Sequence, residues 1–323
     1  MKRLIIGLGI VVLATVASAQ VDPTRTVASV NGEEIKGSEY YYRMEFLPGV
    51  GKVMGNAFAE FPPGFITLEQ LITEKLVFQL AKQQGVYPSD LEVQDELATR
   101  LRTAPNLVSA WKSTGRTEEE LTYQVRFELA KFNVATAGVT ITDVEVADYY
   151  KKNPDMFTVP KQLKLRVIVV RTADDQAVVN QELAAKKPFS EVAAAHSQDA
   201  TRAVGGDYGT VPITVLGAKI KEAIEGTKIG QDTDWIASTN SATDTVYVKF
   251  HIEDIIPPKL QSLDTDLKRT IRHKMMLQKG AVKNDVDKEM AAQRSKAKID
   301  IKEKTFADAY KKFIDAYLKQ QGN

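Results

Sequence analysis

The pattern of apolar residues changes twice along this 323-residue chain, and the change limits the folds open to it. Before Pro160 the apolar residues mostly recur every three or four positions, the period of a helix with one buried face. Residues 163–170 instead form a β-branched run typical of a central strand, and residues 245–252 alternate as a second strand. The helical period returns at Leu260. The sequence therefore predicts an α+β protein in which a compact α+β domain, 161–256, is inserted into a mainly helical module.

The helical module predicted around this insertion is discontinuous and consists of residues 20–160 and 257–323. Asn31-Gly32 between strand-like flanks predicts a hairpin. We expect residues 27–30 to pair with a strand near 297–301, because both segments are short and neither is stable alone. The module would then be closed by its two ends. Capping boxes that predict the start of a helix begin at three threonines, Thr67, Thr117 and Thr142.

The N-terminus has the features of a secretory signal peptide. Lys2 and Arg3 precede an uncharged apolar run over 4–16, and residues 17–19 read Ala-Ser-Ala, a cleavage site of small residues. A retained membrane anchor is the alternative, but spanning a bilayer takes roughly 20 apolar residues, and this run is shorter. We therefore expect residues 1–19 to be removed, which leaves a periplasmic chain that is not stably inserted in a membrane.

Composition excludes several classes of function. The chain contains no cysteine, so we expect no lipoprotein anchor, no disulfide and no Cys-ligated zinc. Lys+Arg 43 nearly balance Asp+Glu 42, which leaves no broad basic surface for nucleic acid. His196, His251 and His273 are widely spaced, so neither a metal site nor a cofactor is predicted. Alternation along the second predicted strand puts His251 on the face opposite Val248.

Three segments, taken in order, resemble the SurA-like and PrsA-like parvulin chaperones. They are residues 27–35, the segment that runs from Thr142 to Pro160, and the segment 189–209. The last segment combines Phe189-x-x-x-Ala193, Ser197-x-Asp199 and Gly205-Gly206-Asp207-x-Gly209, which is similar to the parvulin signature. The resemblance implies a SurA-N-like chaperone module and, at 161–256, the fold of a parvulin-type peptidyl-prolyl cis-trans isomerase.

The resemblance also implies where a peptide would bind in the inserted domain. Relatives carry two inward histidines, and the matching positions here are Val167 and Val248. Asp199 corresponds to the third polar position and Thr245 to a nearby hydroxyl, so these two are the catalytic candidates. The apolar groove would be formed by Val167, Leu216, Ile220 and Val248. Asp199 without histidine partners predicts an impaired enzyme, and a role of Asp199 in bracing the following turn stays open.

Residues 46–65 are rich in Phe, Gly and Pro and are predicted as a loop or broken helix. They form either a packed connection or an adaptable apolar surface for clients. The client-binding candidates are Phe46, Met54, Phe58, Phe61 and Phe65. A second aromatic stripe, at helical spacing in the last helix, is read as core or as a binding face; it comprises Phe306, Tyr310, Phe313 and Tyr317.

Two functions follow from these observations. The first is a periplasmic holdase that works without ATP and has weak or no prolyl isomerase activity. Its partners would be unfolded or nascent exported polypeptides, including outer-membrane proteins. No P-loop is present. The alternative is an active prolyl isomerase that uses Asp199 and the apolar groove, and a scaffold without a client is a third interpretation. A homodimer is left open.

Overall fold

Residues 22–46, 51–54, 57–241 and 244–321 are described in the computed structural model. The chain divides into two compact units, which we call the helical unit (1–141 with 273–323) and the inserted unit (142–272). The α+β class and the discontinuous helical module predicted from the sequence are confirmed. The predicted insertion, 161–256, lies within the inserted unit, and the predicted signal peptide lies outside the described residues.

The elements before residue 142 are β1 (Thr26–Val30), β2 (Glu33–Lys36), α1 (Gly37–Phe46), β3 (Gly51–Met54), β4 (Ala57–Glu60), α2 (Phe65–Gln83), α3 (Asp90–Thr103), α4 (Leu107–Ser113) and α5 (Glu118–Ala135). They are followed by α6 (Asp143–Lys152), β5 (Thr158–Val159), β6 (Gln162–Val170), α7 (Ala173–Ala184), α8 (Phe189–His196), β7 (Asp207–Pro212), α9 (Ala218–Glu225), β8 (Ile236–Ser241), β9 (Asp244–Ile256) and β10 (Lys259–Leu260). The last elements are α10 (Thr265–Lys283), α11 (Val286–Lys296), β11 (Ile299–Ile301) and α12 (Lys304–Gln321).

A three-stranded antiparallel sheet, in the order β11-β1-β2, joins the two ends of the helical unit. Ala28 pairs with Ile301 of β11, which confirms the pairing predicted from the sequence. The β1–β2 turn has positive φ at both Asn31 (52°) and Gly32 (86°), as a tight hairpin of this kind requires. The Asn31 side-chain oxygen accepts a hydrogen bond from the Lys298 amide at 2.8 Å, so the turn is also tied to the distant end of the chain.

Helix α2 is the central helix of the helical unit. Its buried residues pack with β1, β2 and α1, and they include Leu68, Leu71, Ile72 and Leu76. The capping box predicted at Thr67 is wrong, because α2 begins at Phe65 after Gly64, and Thr67 is buried inside the helix. Gly64 has φ 83°, and a Cβ there would lie 2.1 Å from the Tyr40 hydroxyl oxygen, so glycine fits this helix start. The capping boxes at Thr117 and Thr142 are confirmed.

Residues 51–54 and 57–60 differ from the predicted loop or broken helix. Strands β3 and β4 pair antiparallel, Gly51 with Glu60 and Met54 with Ala57. The prediction was wrong because it weighted the prolines of the wider segment, which lie outside the paired residues and so remove no hydrogen bond from the ladder.

The inserted unit contains a four-stranded antiparallel sheet in the order β7-β6-β9-β8. Side chains alternate along β6. Val167 packs on one face with α9, and Ile168 packs on the other face with α7 and α8. Strands β5 and β10 pair antiparallel, Val159 opposite Lys259, so the segments that precede and follow the four-stranded sheet in sequence lie side by side. The edge strands β7 and β8 were not predicted, because β7 contains a glycine and ends in a proline and β8 is mostly polar.

None of the helices in the described parts of the chain combines the length and the apolar character that a membrane span requires.

Candidate functional site

The glycine-rich turn of the inserted unit docks directly on the central strand. Gly205 and Gly206 have φ values of 61° and 75°. A Cβ on Gly206 would lie 2.4 Å from the Val167 carbonyl oxygen and 2.9 Å from the Ala193 Cβ, so no side chain fits. The Val167 amide donates to the Gly206 carbonyl oxygen at 2.8 Å. Both the backbone angles and the close approach therefore require glycine.

Asp199 lies on a short hydrogen-bonded path that leads back to the same strand. The Ser197 hydroxyl donates to the Asp199 carboxylate at 2.8 Å, and the Thr201 hydroxyl donates to it at 2.9 Å. Ser197 is fully buried, and its hydroxyl oxygen accepts from the Val169 amide at 3.0 Å. The carboxylate therefore braces the turn between α8 and the glycines, which is the structural role that the sequence left open.

The four predicted groove residues belong to one apolar cluster on the α9 face of the sheet. Val167 is 2% exposed and Leu216 is also buried, whereas Ile220 and Val248 are half-buried. Val169 pairs with Val248 across the two central strands. A ligand on this face would therefore contact Ile220 and Val248, because Val167 has almost no surface left to offer.

Thr245 is not brought to this face. It is exposed, pairs with Thr239 of β8, and stands two residues before Tyr247, which packs on the opposite face of the sheet. Strand alternation thus puts Thr245 and Val248 on opposite faces. Thr245 is therefore corrected as a source of a hydroxyl in the predicted groove. The alternation that puts His251 on the face opposite Val248 puts Thr245 there as well.

The three histidines occupy separate environments. His251 stacks on Phe189 with 5.2 Å between ring centres, on the face opposite Val248 as predicted, and its Nδ1 lies 2.7 Å from Asp232. His196 pairs with a glutamate at 3.1 Å, and His273 packs beside Phe132 in the helical unit. Within the described ranges no three His, Cys, Asp or Glu side chains are grouped as metal ligands would be.

Lys249, which sequence reasoning passed over, is a buried cation on the α7 and α8 face. Its Nζ donates to the Thr233 carbonyl oxygen at 2.7 Å and lies 5.1 Å from the centre of the Trp235 ring. Burial lowers the pKa of the Lys249 ammonium. The available signal was its position between Val248 and Phe250, inside a strand that is covered on both faces.

The client-binding candidates of the helical unit fall into different environments. Phe58 is 63% exposed, and Phe46 is half-buried beneath the guanidinium of Arg116, 4.7 Å from the ring centre. Phe61 stacks on Phe65, which is fully buried against α12. Phe65 is therefore a core residue, as in the packed connection that the sequence left open, and it is corrected as a client-binding candidate. For Met54 only the backbone is described, in β3.

The aromatic stripe of α12 is mainly core. Phe313 is buried against Phe65, and Tyr310 is half-buried.

The chain is similar to known proteins in its inserted unit and over most of its length. Residues 141–265 match the family model of the PPIC-type PPIASE domain. The foldase protein PrsA of Clostridium botulinum strain Loch Maree is 29% identical over 236 residues, 64% of this chain and 70% of the relative. PrsA of Clostridium kluyveri is 30% identical over 216 residues, 58% and 63% of the two chains. A solved SurA-like chaperone of Campylobacter jejuni is 21% identical, covers 86% of this chain and 100% of its own, and superposes with a TM-score of 0.38.

The inserted unit thus carries a domain of the parvulin type. The resemblance of the chain to SurA-like and PrsA-like parvulin chaperones, predicted from its sequence, is confirmed.

Proposed function

We propose that this protein is a chaperone of the cell envelope that holds unfolded exported polypeptides without ATP, and that its parvulin-type domain has weak or no prolyl isomerase activity. The relatedness to proteins named PrsA foldases supports the chaperone class. The signal-like N-terminus supports export to the periplasm. The proposal of weak or absent isomerase activity is supported by the apolar character of Val167 and Val248, where the resemblance implies histidines.

Catalysis of prolyl isomerisation needs more than binding. The barrier to rotation about the peptide bond is about 18–20 kcal/mol. Only interactions that are stronger in the twisted state than in the planar state lower it. Val248 and Ile220 contribute apolar burial, at about 25 cal/mol per Å², which stabilises both states equally. They therefore favour binding over catalysis.

Asp199 does not replace the missing groups in this proposal. Its carboxylate already accepts hydrogen bonds from the hydroxyls of Ser197 and Thr201, which hold the turn. A side chain engaged in this way is a bracing group rather than a free acid or base.

The alternative function is an active parvulin-type isomerase, and the match of residues 141–265 to the PPIC-type domain favours it. This function requires Asp199 to act on the substrate directly. The two functions therefore predict different effects of replacing Asp199 on the isomerisation rate.

The test combines a protease-coupled isomerisation assay, on a panel of X-Pro peptides, with an aggregation-suppression assay on an unfolded client. We expect the parent protein to suppress aggregation and to isomerise at a rate near background, and Asp199→Ala to change neither result. A robust parent rate that collapses in Asp199→Ala would establish the isomerase instead.

A further inference from the structure

The helical unit contains a cleft of about 650 Å³ between α2, α5, α11 and α12. Its walls are mainly apolar and include Ile66, Val77, Phe127, Val286, Met290 and Tyr317. We call it the apolar cleft. It combines helices from both ends of the chain, so only the folded helical unit contains it.

The charges of the apolar cleft are balanced. Glu69 and Arg294 form a buried ion pair at 3.0 Å, and the rings of Phe313 and Tyr317 lie over the guanidinium at 5.5 and 5.3 Å. Two exposed rim residues, Lys131 and Asp287, have opposite charges. Because no charge is in excess, the apolar cleft suits uncharged, apolar side chains.

A smaller cleft of about 290 Å³ lies beside α1, α4 and α5, and we call it the arginine cleft. The guanidinium of Arg116 lies over two rings, 4.7 Å from the centre of Phe46 and 4.6 Å from that of Trp111. Within the described parts of the chain Arg116 makes neither an ion pair nor a hydrogen bond. Ring contacts of this kind engage the face of a guanidinium and leave the N–H donors along its edges for an acceptor.

The other charged groups of the arginine cleft already have partners. Arg43 pairs with Glu74 at 2.6 Å, and Glu128 pairs with Arg100 at 2.7 Å. The Glu120 carboxylate accepts from the Tyr42 hydroxyl and caps the start of α5. Arg116 is therefore the cation with unused donors, and a carboxylate matches its planar fork better than any neutral acceptor.

The two clefts share a wall. Gln70 of α2 lines both of them, and its side-chain amide donates to Glu74 at 3.1 Å. A polar amide at the junction suits the main chain of a peptide that passes from one cleft to the other.

We propose that the two clefts form one groove for an extended segment of an unfolded polypeptide that carries bulky apolar side chains and, nearby, an acidic side chain. The apolar side chains occupy the apolar cleft, and the acidic side chain binds Arg116. This inference rests on the proposed chaperone function and specifies its site and its class of client segment.

The first arm of the test is a double-mutant cycle between protein and peptide. The probe is a fluorescein-labelled, C-terminally amidated peptide rich in Leu and Phe with one Glu, and its partner carries Gln in place of that Glu. We expect Arg116→Gln to weaken the Glu peptide about tenfold and the Gln peptide less than about twofold. Arg25→Gln, which removes an exposed charge elsewhere in the helical unit, should leave both affinities unchanged. When the Glu is moved along the peptide, one position should give the highest affinity.

The second arm fills the apolar cleft. Val286→Trp places a large ring on its wall, whereas Val282→Trp makes the same change at a position that is 91% exposed and outside the cleft. We expect Val286→Trp to weaken both peptides about tenfold and Val282→Trp less than about twofold, with circular dichroism and melting curves showing both variants folded.

Equal effects of the two tryptophan variants, or equal losses of both peptides in Arg116→Gln, would overturn the groove. A parent protein that suppresses aggregation while the variants bind peptide normally would refute the groove alone. A parent protein that protects no client would refute the proposed function itself.

Discussion

The apolar cluster of the inserted unit and the groove of the helical unit differ in how they use polar groups. In the inserted unit the carboxylate of Asp199 is held by the hydroxyls of Ser197 and Thr201, and the predicted groove residues form an apolar cluster that includes Val248. In the groove the N–H donors of Arg116 have no partner among the described residues, while the neighbouring charges are paired. The fold of the inserted unit is built on apolar packing and on the Gly206 turn, so it forms with valines at positions 167 and 248.

The helical unit, in contrast, depends on charge in its interior. Glu74 is fully buried and accepts hydrogen bonds from Arg43 at 2.6 Å, Gln70 at 3.1 Å and the Tyr123 hydroxyl at 2.9 Å. Burial, reinforced by Glu74, raises the pKa of Tyr123, so its hydroxyl stays a donor. We expect the two units to respond differently to loss of a polar group.

The largest effect should follow Glu74→Ala. Removing one partner of a buried ion pair leaves the other charge buried alone, and we expect a loss of about 3–5 kcal/mol in the free energy of unfolding. Urea denaturation measures it. Glu34→Ala, which breaks the exposed pair with Lys36, is the control and should leave the free energy of unfolding nearly unchanged. Equal losses in the two variants would remove the proposed dependence on interior charge.

A smaller effect is expected for Ser197→Ala in the inserted unit. The change leaves the Val169 amide and Asp199 each without one hydrogen bond, which costs about 1–3 kcal/mol. Ser190→Ala, on the neighbouring helix and without that link to β6, is the matched control. A neutral Ser197→Ala would show that the brace through Asp199 contributes nothing to stability.

Local sequence patterns predicted some turns and strands of this fold. Asn31-Gly32 predicted its turn because positive φ is a local requirement. The β-branched run of residues 163–170 predicted β6 because strand preference is also set by neighbouring residues along the chain. The Glu69–Arg294 pair joins residues 225 positions apart. No local pattern marks such a contact, so the groove built around it was not predicted.

The client-binding candidates of residues 46–65 show a second reason why a prediction from sequence failed. Aromatic residues are favoured both in cores and on binding surfaces, so composition alone could not separate buried Phe65 from exposed Phe58. Their exposure is set by the packing of α12, which comes from the other end of the chain.

The smallest effect concerns Lys249 and pH. Its pKa in the folded state lies below the ordinary 10.5, so the unfolded state binds more protons between the folded-state pKa and 10.5. The free energy of unfolding should therefore rise with pH through that window, and Lys249→Met should remove the rise. Urea titrations of both proteins at several alkaline pH values measure the slope. A slope unchanged by Lys249→Met would assign the dependence to other groups.

We propose that the helical unit holds clients and that residues 160–258 of the inserted unit are dispensable for this activity. Val159 and Lys259 are paired across β5 and β10, so replacing residues 160–258 with Asn-Gly closes a short hairpin at that point. The direct measurement is aggregation suppression by this shortened protein, with circular dichroism and a cooperative melt as evidence of folding. We expect protection equal to that of the full-length protein at the same molar ratio. A folded shortened protein that protects no client would contradict it and assign the activity to the parvulin-type domain.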